Sequence, residues 1–170
     1  MNNEQFAEIV EQYQSPIISV IQKMVVSWDI ARDLAQDSFL KLWDYRDKII
    51  SDKPIFTLLY RIAMNISIDY LRKIKPESIH NEMQSRNSDS QNIENREFFQ
   101  IILNCSDRLK PKQKAVFVLR DIEGFSFEEI KKIMKMPVTN IRSNLYLARK
   151  NIKTILESKY QFNKEMIYDL

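Results

Sequence analysis

Arg142, Tyr146, Arg149 and Lys153 recur at i, i+4, i+7 and i+11, with Ser143, Leu147 and Lys150 forming the adjoining row. At about 100° per residue these positions share one side of a helix. Residues 135–156 hold five Lys or Arg and no Asp or Glu. Stacked like charges on a helix repel by a few tenths of a kcal/mol per pair, and no acid is interleaved among them within 135–156. A phosphate backbone converts that repulsion into affinity by releasing counterions. The chemistry these types suit is polyanion binding: cations on phosphate, with Ser143, Tyr146 and Leu147 within reach of base edges. A solvated basic face is the ordinary competing explanation.

Two further constellations stand upstream. Residues 57–76 carry four Lys or Arg against one acid, and Arg61, Asn65, Arg72 and Lys73 suit a groove that tracks a nucleic-acid strand while one amide reads a base. Residues 1–45 are acidic, with seven Asp or Glu against three Lys or Arg. There Asp33, Gln36 and Asp37 lie beside Phe39 and Trp43, a combination poor for DNA and suited to a protein partner. With one Cys and one His, no Cys/His-rich metal site can be assembled. Cys105 is expected to pack as a small apolar residue, and His80 to lie solvated in a polar loop. No nucleophile–base–orienter set and no glycine-rich phosphate loop is present, so neither an enzyme, a small-molecule substrate nor a cofactor is expected. No apolar run approaches the roughly 18 residues of a membrane span, and the acidic start "MNNEQFAEIVEQ" is unlike a secretory signal, so a cytoplasmic protein without membrane insertion is expected.

The elements that must position these residues read as helices, since the chain contains a single Gly and no sustained alternation of period two. Phe6, Ile9, Val10 and Tyr13, then Ile17, Val20, Ile21 and Met24, predict two runs, the second opened by Pro16. A helix is expected from about Asp29 to Tyr45 and another from Pro54 to about Lys75, with Ile55, Leu58, Leu59, Ile62, Ile66 and Tyr70 as its core stripe. "PESIHNEMQSRNSDSQNIENR" is polar and predicts a linker. After a short apolar stretch, "FFQIIL", helices are expected over Pro111–Ile122, Ser126–Met134 and Val138–Ser158. Ser126 and Glu129 spell a capping box. Ile141, Leu145, Ala148, Ile152 and Ile155 form the core face of the last helix. "SFEEIKKIMKMPVTNIRSNL" is thereby a helix-turn-helix in outline, its second helix suited to the major groove. The fold class is all-α: two small helical domains, 1–76 and 96–170, joined by a flexible polar linker, 77–95.

"LKPKQKAVFVLRDIEGFSFEEIKKIMKMPVTNIRSNLYLARKNI" resembles the fourth conserved region of bacterial sigma factors of the sigma-70 family, in particular the extracytoplasmic-function (ECF) group. Leu109, Val116, Phe117, Leu119, Glu123, Gly124, Ser126, Glu129, Ile130, Ser143, Leu145, Ala148 and Arg149 fall into the family's register. "ARDLAQDSFLKLW" and "LYRIAMNISIDYLRK" resemble the same family's second region. The resemblance implies a transcription-initiation factor that binds core RNA polymerase and recognises the −10 and −35 promoter elements. It places Arg142, Ser143, Tyr146, Leu147, Arg149, Lys150 and Lys153 on the upstream element. Arg61, Asn65, Arg72 and Lys73 face the melted strand, with Asn65 and Ile49 matching the pocket that receives a flipped base. Asp33, Gln36, Asp37 and Phe39 face core polymerase. It also implies an anti-sigma factor as partner.

The chain departs from the family pattern at Lys135, which replaces the turn glycine, at Lys131, which replaces a small Ala, and at Asn144 and Leu147, where Arg is common. Leu147 is expected to make an apolar contact, such as with a thymine methyl, that turns the upstream site away from guanine. Leu58 replaces a frequent Trp. The competing assignment is a stand-alone helix-turn-helix regulator that binds duplex DNA without polymerase.

Overall fold

A computed structural model describes residues 1–48, 54–74 and 93–160. All regular elements among them are helical: α1 (Asn3–Met24), α2 (Trp28–Asp44), a 3₁₀ turn (Arg46–Lys48), α3 (Ile55–Lys73), α4 (Ile93–Ser106), α5 (Pro111–Phe117), a π-helical turn (Val118–Ile122), α6 (Phe127–Met134) and α7 (Val138–Tyr160). Ile49, His80 and residues 77–92 of the expected linker lie outside the described residues.

The first half is a three-helix unit in which α1, α2 and α3 pack on one another. Asn2 opens α1 with a capping box, its side chain accepting from the Gln5 amide at 2.9 Å. The two runs expected on either side of Pro16 are one continuous helix. Pro16 removes one i→i−4 bond, but its side chain is exposed while Ile17, Val20, Ile21 and Met24 are buried, so packing of the apolar stripe carries the helix through.

The second half builds its core from α4, α5, α6 and α7. The expected short apolar stretch is a full helix, Ile93–Ser106, because Ile102, Leu103 and Cys105 are buried, with α4 packed on α7. The single helix expected over 111–122 widens into a π-helical turn after Phe117, where Glu123 donates to the Val118 carbonyl five residues back at 2.9 Å. The turn delivers Gly124, at φ +76°, and Phe125 into the connection before α6. A glycine there adopts a left-handed conformation without a Cβ penalty.

The core is continuous across both halves. Helix α3 packs not only on α1 and α2 but also on α5 and α6. This explains why Tyr60, Ala63 and Met64, outside the expected stripe, are buried along with Leu59, Ile62 and Ile66.

Candidate nucleic-acid interface

The hairpin α6–α7 begins at Ser126, whose hydroxyl accepts from the Glu129 amide at 3.3 Å while the Glu129 carboxylate accepts from the Ser126 amide at 2.8 Å. The Ser126 hydroxyl also donates to that carboxylate at 2.6 Å, and this bond first, then the one from the Ser126 amide, holds the Glu129 carboxyl below its ordinary pKa. Lys135 closes α6 in the left-handed region, φ 49° and ψ 44°, at the position where the family carries glycine. Lys131, in place of a small residue, does not crowd the hairpin; it reaches solvent and meets Glu128 at 3.2 Å. Ile141, Leu145, Ala148, Ile152 and Leu156 bury the inner face of α7, with Ile155 partly buried beside them.

Turned outward on α7 are all seven residues expected there, Arg142, Ser143, Tyr146, Leu147, Arg149, Lys150 and Lys153. Tyr146 is 66% exposed and Leu147 41%, high values for large apolar side chains. Ser143 and Asn144 each bond back to the carbonyl four residues earlier, at 3.0 and 2.8 Å. Arg142 stacks over the Phe127 ring at 5.3 Å from the centroid, and Arg120 approaches the same ring at 4.7 Å. That pairing ties the start of α7 to α6.

One expectation is corrected. Arg149 does not lack a carboxylate: its Nε and Nη2 donate to Asp121 at 2.9 and 2.7 Å. The bidentate pair raises the Arg149 pKa above its ordinary value. Asp121 lies in the π-helical turn, so its partner could not be read from helical spacing.

On α3, Asn65, Arg72 and Lys73 are exposed on the face expected for them. Arg72 is loosely paired with Asp69 at 3.4 Å. Arg61 departs from the expectation of a strand-facing cation. Its Nη2 and Nε donate to the Lys132 and Ile133 carbonyls, at 2.6 and 3.3 Å, in the last turn of α6. Those carbonyls have no partner inside the helix, and a cation at a helix C-terminus also meets the negative end of its dipole.

On α2, Asp33, Gln36 and Asp37 are exposed and Phe39 is buried, at 7% exposure. Phe39 is therefore not a free surface contact. With Phe6, Val10, Ile18, Gln36 and Leu40 it lines a groove of about 330 Å³ between α1 and α2. Leu40, 61% exposed, continues the Asp33–Gln36–Asp37 stripe one turn further and adds an apolar residue to it. Its i+7 spacing from Asp33 was available in the sequence. Lys114 gave no such signal. It is 2% exposed, donates to Asp107 at 2.6 Å and to the Met24 carbonyl, and so joins α5 to the end of α1.

Among the described residues no cluster of His, Cys, Asp and Glu could hold a metal ion, and no helix is long and apolar enough to cross a membrane.

Family models match this architecture in the same order. Sigma-70 region 2 covers residues 9–76 and Sigma-70 region 4 covers residues 99–152. The chain is similar to the ECF RNA polymerase sigma-E factor of Salmonella typhimurium (strain LT2), 32% identical over 161 residues, which span 86% of this chain and 84% of that protein. Its counterpart in Escherichia coli (strain K12) is 31% identical over the same shares. Among solved structures, the sigma factor RpoE in complex with the anti-sigma factor NepR from Bartonella quintana superposes with a TM-score of 0.66 at 19% identity, over 92% of this chain and 99% of that one. CnrH in complex with the cytosolic domain of CnrY gives 0.67 at 18%, over 93% and 91%. These two show a shared fold. The paired regional models and the relative at 32% identity together show that the chain belongs to the sigma-70 family of RNA polymerase sigma factors, in its extracytoplasmic-function group.

Proposed function

We propose that this protein is a sigma factor working as two helical domains: residues 1–76 dock core RNA polymerase and hold melted promoter DNA, and residues 96–170 read the upstream promoter element. The observation that carries the reading is the capped α6–α7 hairpin, which turns Arg142, Ser143, Tyr146, Leu147, Arg149, Lys150 and Lys153 outward on a helix that holds no acid before Glu157. Arg142, Lys150 and Lys153 suit phosphate, and Arg149 joins them when it exchanges Asp121 for a phosphate. Ser143, Tyr146 and Leu147 suit base edges, Leu147 by apolar contact. On α3, Asn65 is the base-reading amide and Arg72 and Lys73 follow the backbone of the displaced strand. Ile49 belongs to the same pocket by its place in the family pattern.

The Asp33–Gln36–Asp37–Leu40 stripe is the polymerase-docking surface. Phe39 supports it from beneath by shaping the groove beside it. An acidic rim around an apolar centre matches a basic, partly apolar partner surface. An anti-sigma factor is a fitting second partner for these surfaces, and catalysis has no part in this role. The protein acts where core polymerase and promoter DNA are found, in the cytoplasm.

The test adds the purified chain to core RNA polymerase with a library of promoter fragments. Specific initiation is expected, and Asp33→Lys with Asp37→Lys is expected to abolish it while duplex binding persists. Duplex binding without initiation by the unaltered chain overturns the assignment in favour of a stand-alone regulator, a role that leaves the match of residues 9–76 to region 2 without purpose.

A further inference from the structure

One aromatic ring holds two arginines that come from different elements. Ser126 caps α6 and so fixes Phe127 as its first helical residue, where the ring is partly buried against the core. The Arg142 guanidinium, from the first turns of α7, lies 5.3 Å from the centroid of that ring, and the Arg120 guanidinium, from the π-helical turn, lies 4.7 Å from it. Arg120 is itself tied down, its Nη1 donating to the Phe125 carbonyl at 2.8 Å. The acids nearest in sequence are committed elsewhere: Asp121 to Arg149, Glu123 to Lys23, Glu128 to Lys131 and Glu129 to Ser126.

We propose that Phe127 is a positioning residue for promoter reading: its ring holds the Arg142 side chain ready for a phosphate of the upstream element. The proposal rests on the sigma-factor reading, in which the outer face of α7 meets duplex DNA. The two arginines of that face are held in different ways. Arg149 spends Nε and Nη2 on Asp121. Arg142 is exposed and, among the described residues, makes no hydrogen bond or ion pair. Contact with a ring engages the charge of a guanidinium and consumes no N–H, so all five donors of Arg142 stay available for phosphate oxygens. An arginine that is free in solution loses rotamer freedom when it binds, and a ring that fixes it beforehand removes part of that cost. Phe127 has no polar side-chain atom, so it offers DNA no hydrogen bond of its own and acts through the cation it holds. Arg120 adds a second positive charge at the same ring, and the local potential there favours an arriving anion.

A double-mutant cycle tests this on the full chain, with a duplex selected by binding from the promoter library and fluorescence anisotropy over a salt series. Phe127→Leu keeps an apolar side chain and removes the ring. It is expected to weaken binding about three- to tenfold and to leave the slope of log K against log salt unchanged, because Arg142 still reaches phosphate. Arg142→Gln is expected to weaken binding further and to reduce that slope by about 0.9. Phe127→Leu added to Arg142→Gln is expected to cost nothing more, whereas a general fold defect from the lost ring would weaken binding in both backgrounds. Phe127→Tyr, which keeps the ring, is expected to bind like the unaltered chain. Losses that add in the double variant, full affinity in Phe127→Leu, or equal losses in Phe127→Tyr and Phe127→Leu overturn the positioning role. Absence of initiation by the unaltered chain with core polymerase strikes the sigma reading instead, and the cycle on duplex binding still decides whether Phe127 acts through Arg142.

Discussion

Arg149 and Asp121 meet edge to edge, Nε to Oδ2 at 2.9 Å and Nη2 to Oδ1 at 2.7 Å, across 28 residues of sequence. The carboxylate side chain is 15% exposed and the guanidinium 44%, so the pair sits at the rim of the proposed DNA face and is screened by water. A phosphate arriving at α7 has to displace Asp121 to gain this cation. Asp121→Asn is expected to raise duplex affinity several-fold and to steepen log K against log salt by about 0.9, one more phosphate contact. Fluorescence anisotropy over a salt series measures both, and an unchanged slope shows that Arg149 stays away from phosphate.

The buried Lys114–Asp107 pair makes the opposite demand. Lys114→Met leaves a buried carboxylate without its cation and is expected to destabilise the chain by about 3–5 kcal/mol. Adding Asp107→Leu removes the stranded charge and is expected to recover most of that loss. Urea unfolding followed by circular dichroism decides it; equal stability of the single and double variants rules out the pair as the cause.

Lys135 is held at φ 49° where a side chain is disfavoured. Lys135→Gly is expected to stabilise the chain by about 1 kcal/mol, because relief of left-handed strain outweighs the entropy a glycine adds to the unfolded chain. A shift of the unfolding midpoint to lower urea refutes this.

Tyr60 carries a pH dependence. Its hydroxyl is pushed up to about 12, first by burial and then by the nearby Glu123 and Tyr13. A raised folded-state pKa means that the unfolded chain deprotonates first, near pH 10, so the stability is intact below pH 10 and is lost as pH rises from there through about 12. The total is about 2–3 kcal/mol at one pKa unit per 1.36 kcal/mol. Tyr60→Phe is expected to flatten this part of the stability profile between pH 9.5 and 11.5; parallel profiles contradict it.

What the sequence disclosed tracks the range of the forces involved. The α7 stripes and the Ser126–Glu129 box were legible because both are local: one is set by 3.6-residue geometry, the other by a hydrogen bond three residues long. Pro16 misled as a helix start because tertiary burial of Ile17, Val20 and Ile21 outweighs one missing bond. Asp121 was invisible as a partner for Arg149 because a π-helical turn, not periodicity, aims it. Lys114 resembled any surface lysine in "LKPKQK"; only the docking of α5 on the end of α1 buries it. Phe39 and Arg61 were placed on the correct helices with the wrong surroundings, since periodicity cannot say what else will cover a face.

The acceptors for Arg61 are main-chain oxygens. The side chains of Lys132 and Ile133 contribute nothing to those two bonds. Helix α6 can therefore change residue identity during divergence without dissolving the contact, provided it stays helical to its end. The selective burden falls on a single guanidinium, and one substitution at position 61 would remove both bonds at once.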